Sequence, residues 1–362
     1  MPGARSGNRW NDLAADRILI SVNELESGVK RMLKLTEADP SEKSSLALPA
    51  PHDQLRVRAA WLYYVEGMTQ ADVAKQLCVN RIMITRLLAD ARNRGEVVIR
   101  IRSDIAPIID LQQRLEQKFK LSVAIVAPFS DDTGDPTLAI AAAAGAYVSQ
   151  LMTHRLTVGV GWGRTLQAML AHIEGRALDD VRVVSLLGGI SLARRFNPAE
   201  FAWQFAELFG AEGYLMPAPA LVDSPQTKHT LMEHCGLDQV LQMAQACDLA
   251  LISCGGIESM TTSYRVGHVT EAERMSLIDA GAVGDVLYNF VDKDGTLVDH
   301  SVNQRSISMS LDGLTRIDNK ALIAGGAEKR AIISAVLKSI KPRILVTDEV
   351  TARFLVGEET AV

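Results

Sequence analysis

Short apolar strands that are followed by helices recur through the C-terminal two thirds of the chain. Their sequences are VAIVAP, LTVGVG, VRVVSLLGG, LALISCGG, ALIAGG and RILVTDE. Strands that are apolar throughout and alternate with helices form parallel sheets with both faces covered, because each parallel connection must cross over the sheet. The pattern therefore predicts the α/β fold class, with a mostly parallel sheet.

Length and charge predict that a small basic domain precedes this α/β domain. The chain has 362 residues, more than one compact core usually holds, and its net charge is −5. Residues 51–103 contain nine Lys and Arg against five Asp and Glu, whereas residues 104–362 carry a net charge of −9. A basic module on an acidic body is typical of a protein that places one end on nucleic acid. We therefore divide the chain into an N-terminal extension and linker (1–50), a DNA-binding domain (51–103) and the α/β domain (104–362).

The sequence gives no sign of membrane insertion, secretion or metal binding. No apolar run reaches the roughly 18 residues of a membrane-spanning helix, and the N-terminus lacks the apolar core of a signal peptide. Cys78, Cys235, Cys247 and Cys254 form no C-x-x-C pair and have no histidine at ligand spacing, so we expect neither a disulfide framework nor a zinc site. We therefore predict a cytoplasmic protein without a cofactor.

Residues 53–102 have the pattern of three helices followed by a short basic strand, which is the order of a winged helix-turn-helix. Thr69 can cap the second helix and Asn80 the third. Between these helices, Cys78 occupies the turn position where glycine commonly supplies a positive φ. The small residue, the turn and the apolar anchors that the motif requires are Ala74, Leu77, Val79, Ile84, Leu87 and Leu88. The pattern predicts two helices that cross at a tight turn, with Val97–Ile101 as the wing.

The face of the third helix opposite these anchors is polar and basic. In this motif the N-terminal end of the recognition helix enters the major groove, where arginine can donate two hydrogen bonds to guanine. The candidate DNA-contacting residues are Thr69, Gln70, Arg81, Met83, Thr85 and Arg86. Alternatively, this surface is the solvated basic face of an ordinary three-helix unit. The agreement among spacing, capping, length and local charge favours DNA binding.

Two glycine-rich turns in the α/β domain have the composition of a ligand site. The first lies within residues 156–166 and the second within residues 324–329, and each follows a strand and opens a helix. Backbone N–H groups in such turns can converge on one anion or hydroxyl, and parallel sheets bind ligands beyond the carboxyl ends of their strands. The candidate effector-binding residues are Gly159, Gly161, Gly163, Arg164, Thr165, Gly188, Asp285, Gly326 and Lys329. A tight turn with no ligand is the alternative for each segment.

Five segments in a fixed order carry a resemblance to a known family. They are RAAWLYYVEGMTQADVAKQLCVNRIMITRLLADARNRGEVVIRI, VGVGWGRTL, GAVGDVLYNFVDKDG, ALIAGGAEKRAIISAVLKS and ILVTDEVTARFL, and together they span about residues 55–356. In this combination the chain resembles the SorC family of sugar-binding transcriptional regulators, in particular regulators of polyol operons such as erythritol. The resemblance implies a winged helix-turn-helix joined to an effector domain of the sugar-phosphate isomerase type, and assembly into tetramers. It also implies phosphate contacts at Gly161, Gly163, Arg164 and Thr165, and ligand contacts at Asp285 and Lys329.

These observations predict a DNA-binding transcriptional regulator of a carbohydrate or polyol operon, controlled by a bound sugar, polyol or sugar phosphate. Its expected partners are double-stranded operator DNA, the effector and further copies of the same chain in a dimer or tetramer. One alternative is a sugar-phosphate isomerase or deaminase that uses Asp285 and Lys329, although no second acid–base group with a clear motif accompanies them. A second alternative is a DNA-packaging protein, which would bind all DNA alike and need no ligand cleft.

Overall fold

The computed structural model describes residues 51–94, 96–97, 106–131, 133–189, 197–257 and 269–358. The chain divides into two compact units, of which the first reaches Ala106 and the second begins at Pro107. The predicted N-terminal extension and residues 98–101 of the predicted wing lie outside the described residues.

Three helices make up most of the described part of the first unit. They are α1 (Pro51–Tyr64), α2 (Gln70–Gln76) and α3 (Arg81–Asn93). Their buried side chains form one small core, which consists of Ala59, Ala60, Leu62, Val73, Ala74, Ile84, Leu87, Leu88 and Ala91. The three predicted helices are thus present. The apolar anchors predicted at Ala74, Ile84, Leu87 and Leu88 are buried in this core.

The second unit alternates strands and helices along most of its length. Its helices are α4 (Ala106–Phe119), α5 (Thr137–Leu151), α6 (Arg164–Met169), α7 (Pro198–Phe209), α8 (Pro225–His234), α9 (Leu237–Gln245), α10 (Glu271–Asp279), α11 (Ser301–Arg305), α12 (Leu311–Arg316), α13 (Arg330–Ser339) and α14 (Glu349–Val356). Its strands are β1 (Val123–Ala127), β2 (Thr157–Val160), β3 (Arg182–Ser185), β4 (Glu212–Tyr214), β5 (Leu249–Ile252), β6 (Gly255–Gly256), β7 (Gly284–Val286), β8 (Asn289–Val291), β9 (Asn319–Ile323) and β10 (Ile344–Asp348).

Seven of these strands form one parallel sheet in the order β1-β10-β9-β5-β2-β3-β4. All six strands predicted from the sequence belong to it, so the predicted parallel α/β fold is confirmed. Two features were not predicted. One is the edge strand β4, and the other is a small antiparallel sheet in the order β6-β7-β8.

Both faces of the parallel sheet are covered by apolar side chains. In β5, for example, Ala250 and Ile252 belong to one buried cluster, while Leu249 and Leu251 belong to the other. Alternate residues of a strand point to opposite faces, so a strand buried on both sides must be apolar at every position. Most of the candidate effector residues accordingly lie at strand ends, in the turns after β2 and β9.

Candidate DNA-binding and effector sites

Thr69 and Asn80 cap α2 and α3, as the sequence predicts. Oγ1 of Thr69 accepts a hydrogen bond from the backbone N–H of Asp72 at 3.3 Å, and Oδ1 of Asn80 accepts one from Met83 at 2.7 Å. Between the two helices, Cys78 has a φ of 53°. This is the left-handed conformation predicted for the turn position. Because a residue with a Cβ is strained there, the close crossing of the helices must maintain this conformation.

The predicted DNA-contacting side chains lie at the starts of α2 and α3. Arg81, Thr85 and Arg86 are exposed on α3, and Met83 is half-buried. The hydroxyl of Thr85 lies 3.2 Å from Oε1 of Gln70, so the two helix starts form one polar surface. The full set is Thr69 and Gln70 at α2 together with Arg81, Met83, Thr85 and Arg86 within the first six residues of α3. This surface has the charge and exposure that phosphate and base contacts require.

A buried arginine that the sequence analysis did not single out joins α1 to the residues after α3. Nη1 of Arg56 lies 2.6 Å from Oδ1 of Asp53, and its Nε donates to Oε2 of Glu96 at 2.7 Å. The side chain of Arg56 is only 3% exposed. Its hydrogen bond and charge hold the pKa of Glu96 below the usual value. Asp53 is only three residues away, but Glu96 is 40 residues away in the chain, so no local pattern reveals this pairing.

The first glycine turn packs against the end of β5 and against Tyr288. The N–H of Gly161 donates to a β5 carbonyl at 2.8 Å. Gly163 has a φ of 137°, and a Cβ there would lie 3.7 Å from the Cβ of Ser253. Between the two glycines, the Trp162 ring stacks on Tyr288 with a centroid separation of 5.5 Å. The turn is therefore fixed by backbone pairing on one side and by aromatic packing on the other.

Arg164, the first residue of α6, lies between two carboxylates. Its Nη1 is 3.0 Å from Oδ2 of Asp135, and its Nη2 is 3.9 Å from Oε1 of Glu328. Partial burial raises the pKa of Asp135, but hydrogen bonds from Thr137 and the charge of Arg164 outweigh this effect and leave it below its usual value. The neighbouring Thr165 is buried. Sequence reasoning identified the arginine but neither of its acidic partners.

The second glycine turn is anchored by a buried aspartate at the end of β10. Gly326 has a φ of 101°, and its N–H donates to Oδ2 of Asp348 at 2.9 Å and to Oγ1 of Thr351 at 3.0 Å. Asp348 also caps α14 by accepting the N–H of Thr351 at 2.8 Å. The sequence analysis missed Asp348, although an aspartate between an apolar strand and a helix is a candidate N-cap.

The small antiparallel sheet brings Asp285 to the second glycine turn. Asp285 lies on β7 and pairs with Gly255 of β6, and a Cβ on Gly255 would lie 2.8 Å from Oδ1 of Asp285. On the adjacent residue, Gly256, a Cβ would lie 2.5 Å from the carbonyl oxygen of Glu328. Lys329 follows directly in the chain. Strand β6 thus lies between the aspartate and the turn, and only glycines fit there.

Burial controls the protonation of the groups around Asp285. It raises the pKa of Asp285 to about 7, while the N–H of Tyr288 and the charge of Lys329 limit the increase. Oδ2 of Asp285 accepts that N–H at 2.9 Å. Burial also raises the pKa of the Cys254 thiol to about 12, so this thiol is uncharged at neutral pH. Asp285 is thus an acceptor near the cation of Lys329, as a hydroxyl-binding site requires.

At two of the predicted effector residues, Gly159 and Gly188, close packing explains why the residue is glycine. Gly159 lies inside β2, where a Cβ would come within 2.7 Å of Cδ2 of Leu186 and 3.0 Å of Sγ of Cys247. Gly188 lies after β3, where a Cβ would come within 2.5 Å of the carbonyl oxygen of Ala218. Gly159 thus belongs to the strand β2 itself, whereas Gly161 and Gly163 belong to the turn that follows it.

The remaining predicted residues gather at one edge of the sheet. They are Gly161, Gly163, Arg164, Thr165, Asp285, Gly326 and Lys329, at or near the carboxyl ends of β2, β5 and β9. Within the described parts of the chain, no group of three or more His, Cys, Asp and Glu side chains could hold a metal ion. The chemistry available at this edge is hydrogen bonding and charge, which is suited to a small polar ligand.

Comparison with known proteins identifies the family. A family model described as "Putative sugar-binding domain" matches residues 103–357. The erythritol catabolism regulatory protein EryD of Brucella abortus is 32% identical over 310 residues, which cover 84% of this chain and 97% of EryD. The chain belongs to the SorC family of sugar-binding transcriptional regulators. The resemblance stated from the sequence motifs is therefore confirmed.

Two further relatives support this assignment. The deoxyribonucleoside regulator of Bacillus subtilis is 30% identical over 308 residues, which cover 84% of this chain and 98% of that protein. The crystal structure of the full-length sorbitol operon regulator SorC from Klebsiella pneumoniae matches with a TM-score of 0.65 and 28% identity, covering 85% of this chain and all of SorC. These proteins are regulators rather than enzymes. The SorC family member described here is therefore a transcriptional regulator with a sugar-binding domain, and the isomerase alternative is set aside.

Among the described residues, no helix combines the length and the apolar composition that crossing a bilayer requires.

Proposed function

We propose that residues 51–103 of this SorC family regulator bind operator DNA through the start of α3. The exposure of Arg81 and Arg86 beside Thr85, and the contact of Thr85 with Gln70, support this assignment. The two arginines can donate to guanine or to phosphate, while Thr69 and Gln70 are suited to the DNA backbone. In this cytoplasmic protein, two such heads from one dimer or tetramer would bind the half-sites of a near-palindromic operator, about one helical turn apart.

We propose that residues 104–362 bind a sugar, polyol or sugar phosphate at the carboxyl ends of β2, β5 and β9. The observation that carries this proposal is proximity at one edge of the sheet. Asp285 lies near both the turn before Lys329 and the glycine turn after β2. Asp285 would accept ligand hydroxyl groups, and Lys329 would donate to a ligand oxygen. The N–H groups around Gly161 and Gly163 would complete the site.

Control of transcription then requires that the effector binds the DNA-competent and DNA-incompetent arrangements with different affinities. The coupling is reciprocal, so operator DNA must change effector affinity by the same factor as the effector changes operator affinity. This reciprocity gives a test that is independent of whether the regulator represses or activates.

Operator binding is tested by selecting duplexes from a random library with the full-length chain and measuring the affinity of the selected sequence by fluorescence anisotropy. We expect the selected duplex to be near-palindromic and to bind at least 1,000-fold more tightly than a scrambled duplex, which is the specificity typical of such regulators, on the order of 10³ or more. Equal affinity for both duplexes would instead favour the DNA-packaging alternative.

Effector binding is tested by thermal-shift measurements against a panel of sugars, polyols and their phosphates. We expect at least one member to raise the melting temperature of the wild type, and Lys329→Ala to abolish that increase. Lys338→Ala is the matched control, because Lys338 lies on α13 in the same domain, is 51% exposed and pairs only with Asp294 and a backbone carbonyl among the contacts described. A panel with no active member would remove the effector-sensing half of the proposal.

A further inference from the structure

The exposed side of α1 carries a stripe of apolar side chains. Val57, Trp61 and Val65 are 45%, 40% and 42% exposed, respectively. They are spaced four residues apart, and the N–H of Val65 donates to the carbonyl oxygen of Trp61 at 2.9 Å, so the helical repeat continues through Val65. Residues four apart lie on one face of a helix. These three residues are called the α1 stripe below.

The α1 stripe lies on the side of the helix away from the core of the three-helix unit. The neighbouring residues Ala59, Ala60 and Leu62 belong to that core and are at most 6% exposed. The indole N–H of Trp61 donates to Oε1 of Glu66 at 3.2 Å, so the polar end of this side chain already has an acceptor. What the stripe offers to a partner is therefore apolar surface.

The core of the three-helix unit is small. Of the nine buried residues described for it, four are alanine. A domain of about 50 residues buries a smaller fraction of its surface than a larger domain does, and its stability is correspondingly marginal. A further apolar element packed on the α1 stripe would add buried surface to this unit and stabilise it.

The N-terminal extension has an apolar face of the same kind. Residues 12–35, which lie outside the described residues, have the sequence pattern of an amphipathic helix. Apolar residues recur in it at spacings of four, three, four and three, and they are Ile18, Val22, Leu25, Val29 and Met32. This spacing places them on one side of a helix and is typical of a helix that packs against another. These five residues are called the apolar face of the extension below.

The charge of this segment favours a protein surface as its partner. Residues 12–35 contain four acidic and four basic side chains, so their net charge is zero. Segments that bind nucleic acid or an anionic membrane carry an excess of Lys and Arg. The apolar face therefore lacks the charge that either of those partners requires.

The connection to α1 favours a partner surface within the same chain. Residues 36–50, 15 in number, join the segment to Pro51, the first residue of α1. A chain of this length without regular structure has a root-mean-square end-to-end distance of about 20 Å. Trp61 lies about 15 Å along the helix axis from Pro51. A linker whose length matches the span gives the linked partner its highest effective concentration, in the millimolar range, which exceeds that of a separate copy.

We propose that residues 12–35 form a fourth helix of the DNA-binding unit, which packs its apolar face on the α1 stripe of the same chain. The extension is then part of this unit and contributes to its stability. The proposal is independent of the operator and effector sites, since none of the candidate residues of either site belongs to the α1 stripe.

Photo-cross-linking in the full-length chain tests the contact. p-Benzoylphenylalanine replaces Trp61, irradiation joins it to neighbouring residues, and peptide mass spectrometry identifies them. We expect cross-links to residues 12–35 in a product that migrates as a monomer on a denaturing gel, because both ends belong to one chain. The same replacement at Val57 repeats the measurement on the stripe if the Trp61 variant does not fold. Trp203 is the matched control position, since it is a tryptophan of α7 that is 58% exposed, and we expect no cross-link from it to residues 12–35.

Two variants of the extension test whether its apolar face makes the contact. Leu25→Asp should lower the yield of the cross-link by about tenfold or more, because packing would bury a carboxylate against an apolar surface. Ser27→Asp is the control. It adds the same charge two residues away on the opposite side of the predicted helix, and it should retain the cross-link.

Four results would overturn the proposal. Products that migrate as dimers, joined through two α1 stripes or through the extension of another copy, would show that the partner belongs to a second chain. Irradiation that joins neither stripe position to residues 12–35 would show that another element covers the stripe or that it stays exposed. Equal yields from Trp61 and Trp203 would mean that the extension contacts any exposed apolar side chain. A full yield in Leu25→Asp would mean that the apolar face does not make the contact.

Discussion

Nη1 of Arg164 and Oδ2 of Asp135 lie 3.0 Å apart and join the first residue of α6 to the segment that precedes α5. The two residues are 29 positions apart in the chain. Because Pro136 also lies against Gly326, this segment connects the turn after β2 with the turn after β9. The two glycine turns are therefore parts of one structure, and a change in either should affect the other.

Gly326→Ala should destabilise the α/β domain and abolish effector-induced stabilisation. The φ of 101° at this position is strained for alanine by about 1 kcal/mol or more, and the strain disturbs the hydrogen bonds of its N–H to Asp348 and Thr351. Gly281→Ala is the control, because Gly281 has a φ of 89° and no atom near the position of a new Cβ. Thermal shifts with and without the active panel member should show that both variants lose stability but only Gly326→Ala loses the effector response. Equal responses in the two variants would contradict the role given to this turn.

Cys78→Gly should stabilise the three-helix unit by about 1 kcal/mol, because glycine adopts the left-handed conformation without a Cβ clash. The present φ at Cys78 is 53°. Cys235→Gly is the matched control, since Cys235 is also exposed and follows a helix but has a φ of −115°. Glycine adds the same freedom to the unfolded chain at both sites, so the difference between the variants isolates the backbone strain. Chemical denaturation measures the free energy of unfolding of both variants. If Cys235→Gly raises it as much as Cys78→Gly does, backbone strain at Cys78 is not the cause.

Arg86→Ala should weaken operator binding by about 1–3 kcal/mol, the range for an arginine that contacts a base. Arg86 is exposed on α3 beside the Thr85 and Gln70 contact. Arg316→Ala is the control, because Arg316 is an exposed arginine of the second unit that pairs with Asp312. Fluorescence anisotropy at one fixed salt concentration compares them. The effector-induced thermal shift should be unchanged in both, and an unaltered operator affinity for Arg86→Ala would remove α3 as the recognition helix.

Six of the seven parallel strands were predictable because burial on both faces makes a strand apolar at every position. The exception, β4, has the sequence Glu212-Gly213-Tyr214 and lies at the edge of the sheet. Its position depends on pairing with β3 and on Trp203, which lies over Gly213. Strands β6, β7 and β8 are equally short, at two or three residues each. Segments this short have no period to detect, so only tertiary contacts define them.

The candidate site was predictable as far as local chemistry allowed. Glycines in strand-to-helix turns identified Gly161, Gly163 and Gly326, with Asp285 and Lys329 as polar candidates for the same site, and the motif resemblance implied ligand contacts at these two residues as well. The acidic partners Asp135 and Glu328 were missed because ion pairing with Arg164 depends on how distant segments meet in space. The same limit applies to Arg56, whose partner Glu96 is 40 residues away.

Arg56→Met should loosen the packing of α1 on α3, because it keeps the apolar stem but leaves Asp53 and Glu96 without their buried partner. Arg94→Met is the control, since Arg94 contacts Asp53 and Asp90 but is 54% exposed. Hydrogen–deuterium exchange followed by mass spectrometry should show faster exchange in α1 and α3 for Arg56→Met, by about tenfold or more, as expected when local opening becomes easier by over 1 kcal/mol. Exposed ion pairs contribute little, so Arg94→Met should exchange like the wild type.

Asp285→Asn should remove a pH dependence of stability that the wild type has between about pH 4 and pH 7. Burial raises the pKa of Asp285 to about 7, above the ordinary value of 3.8, so the folded protein holds a proton that the unfolded chain has lost in this window. The contribution of Asp285 to the free energy of unfolding is therefore greatest below pH 4 and falls as the pH rises toward 7. The total fall is at most about 4 kcal/mol. Lys329 opposes the shift, and Tyr288 and Cys254 stay uncharged here because burial raises their pKa values.

Urea denaturation at several pH values between 4 and 8 measures this difference directly. Asparagine retains an oxygen that can accept the Tyr288 N–H, so the variant keeps the hydrogen bond but cannot ionise. The free energy of unfolding of the wild type relative to Asp285→Asn should fall with increasing pH and level off above pH 7. Asp312→Asn, at an exposed carboxylate of α12, is the control and should show no such slope. Parallel curves for the wild type and Asp285→Asn would mean that Asp285 ionises freely in the folded protein, and that this carboxyl group is hydrated rather than buried.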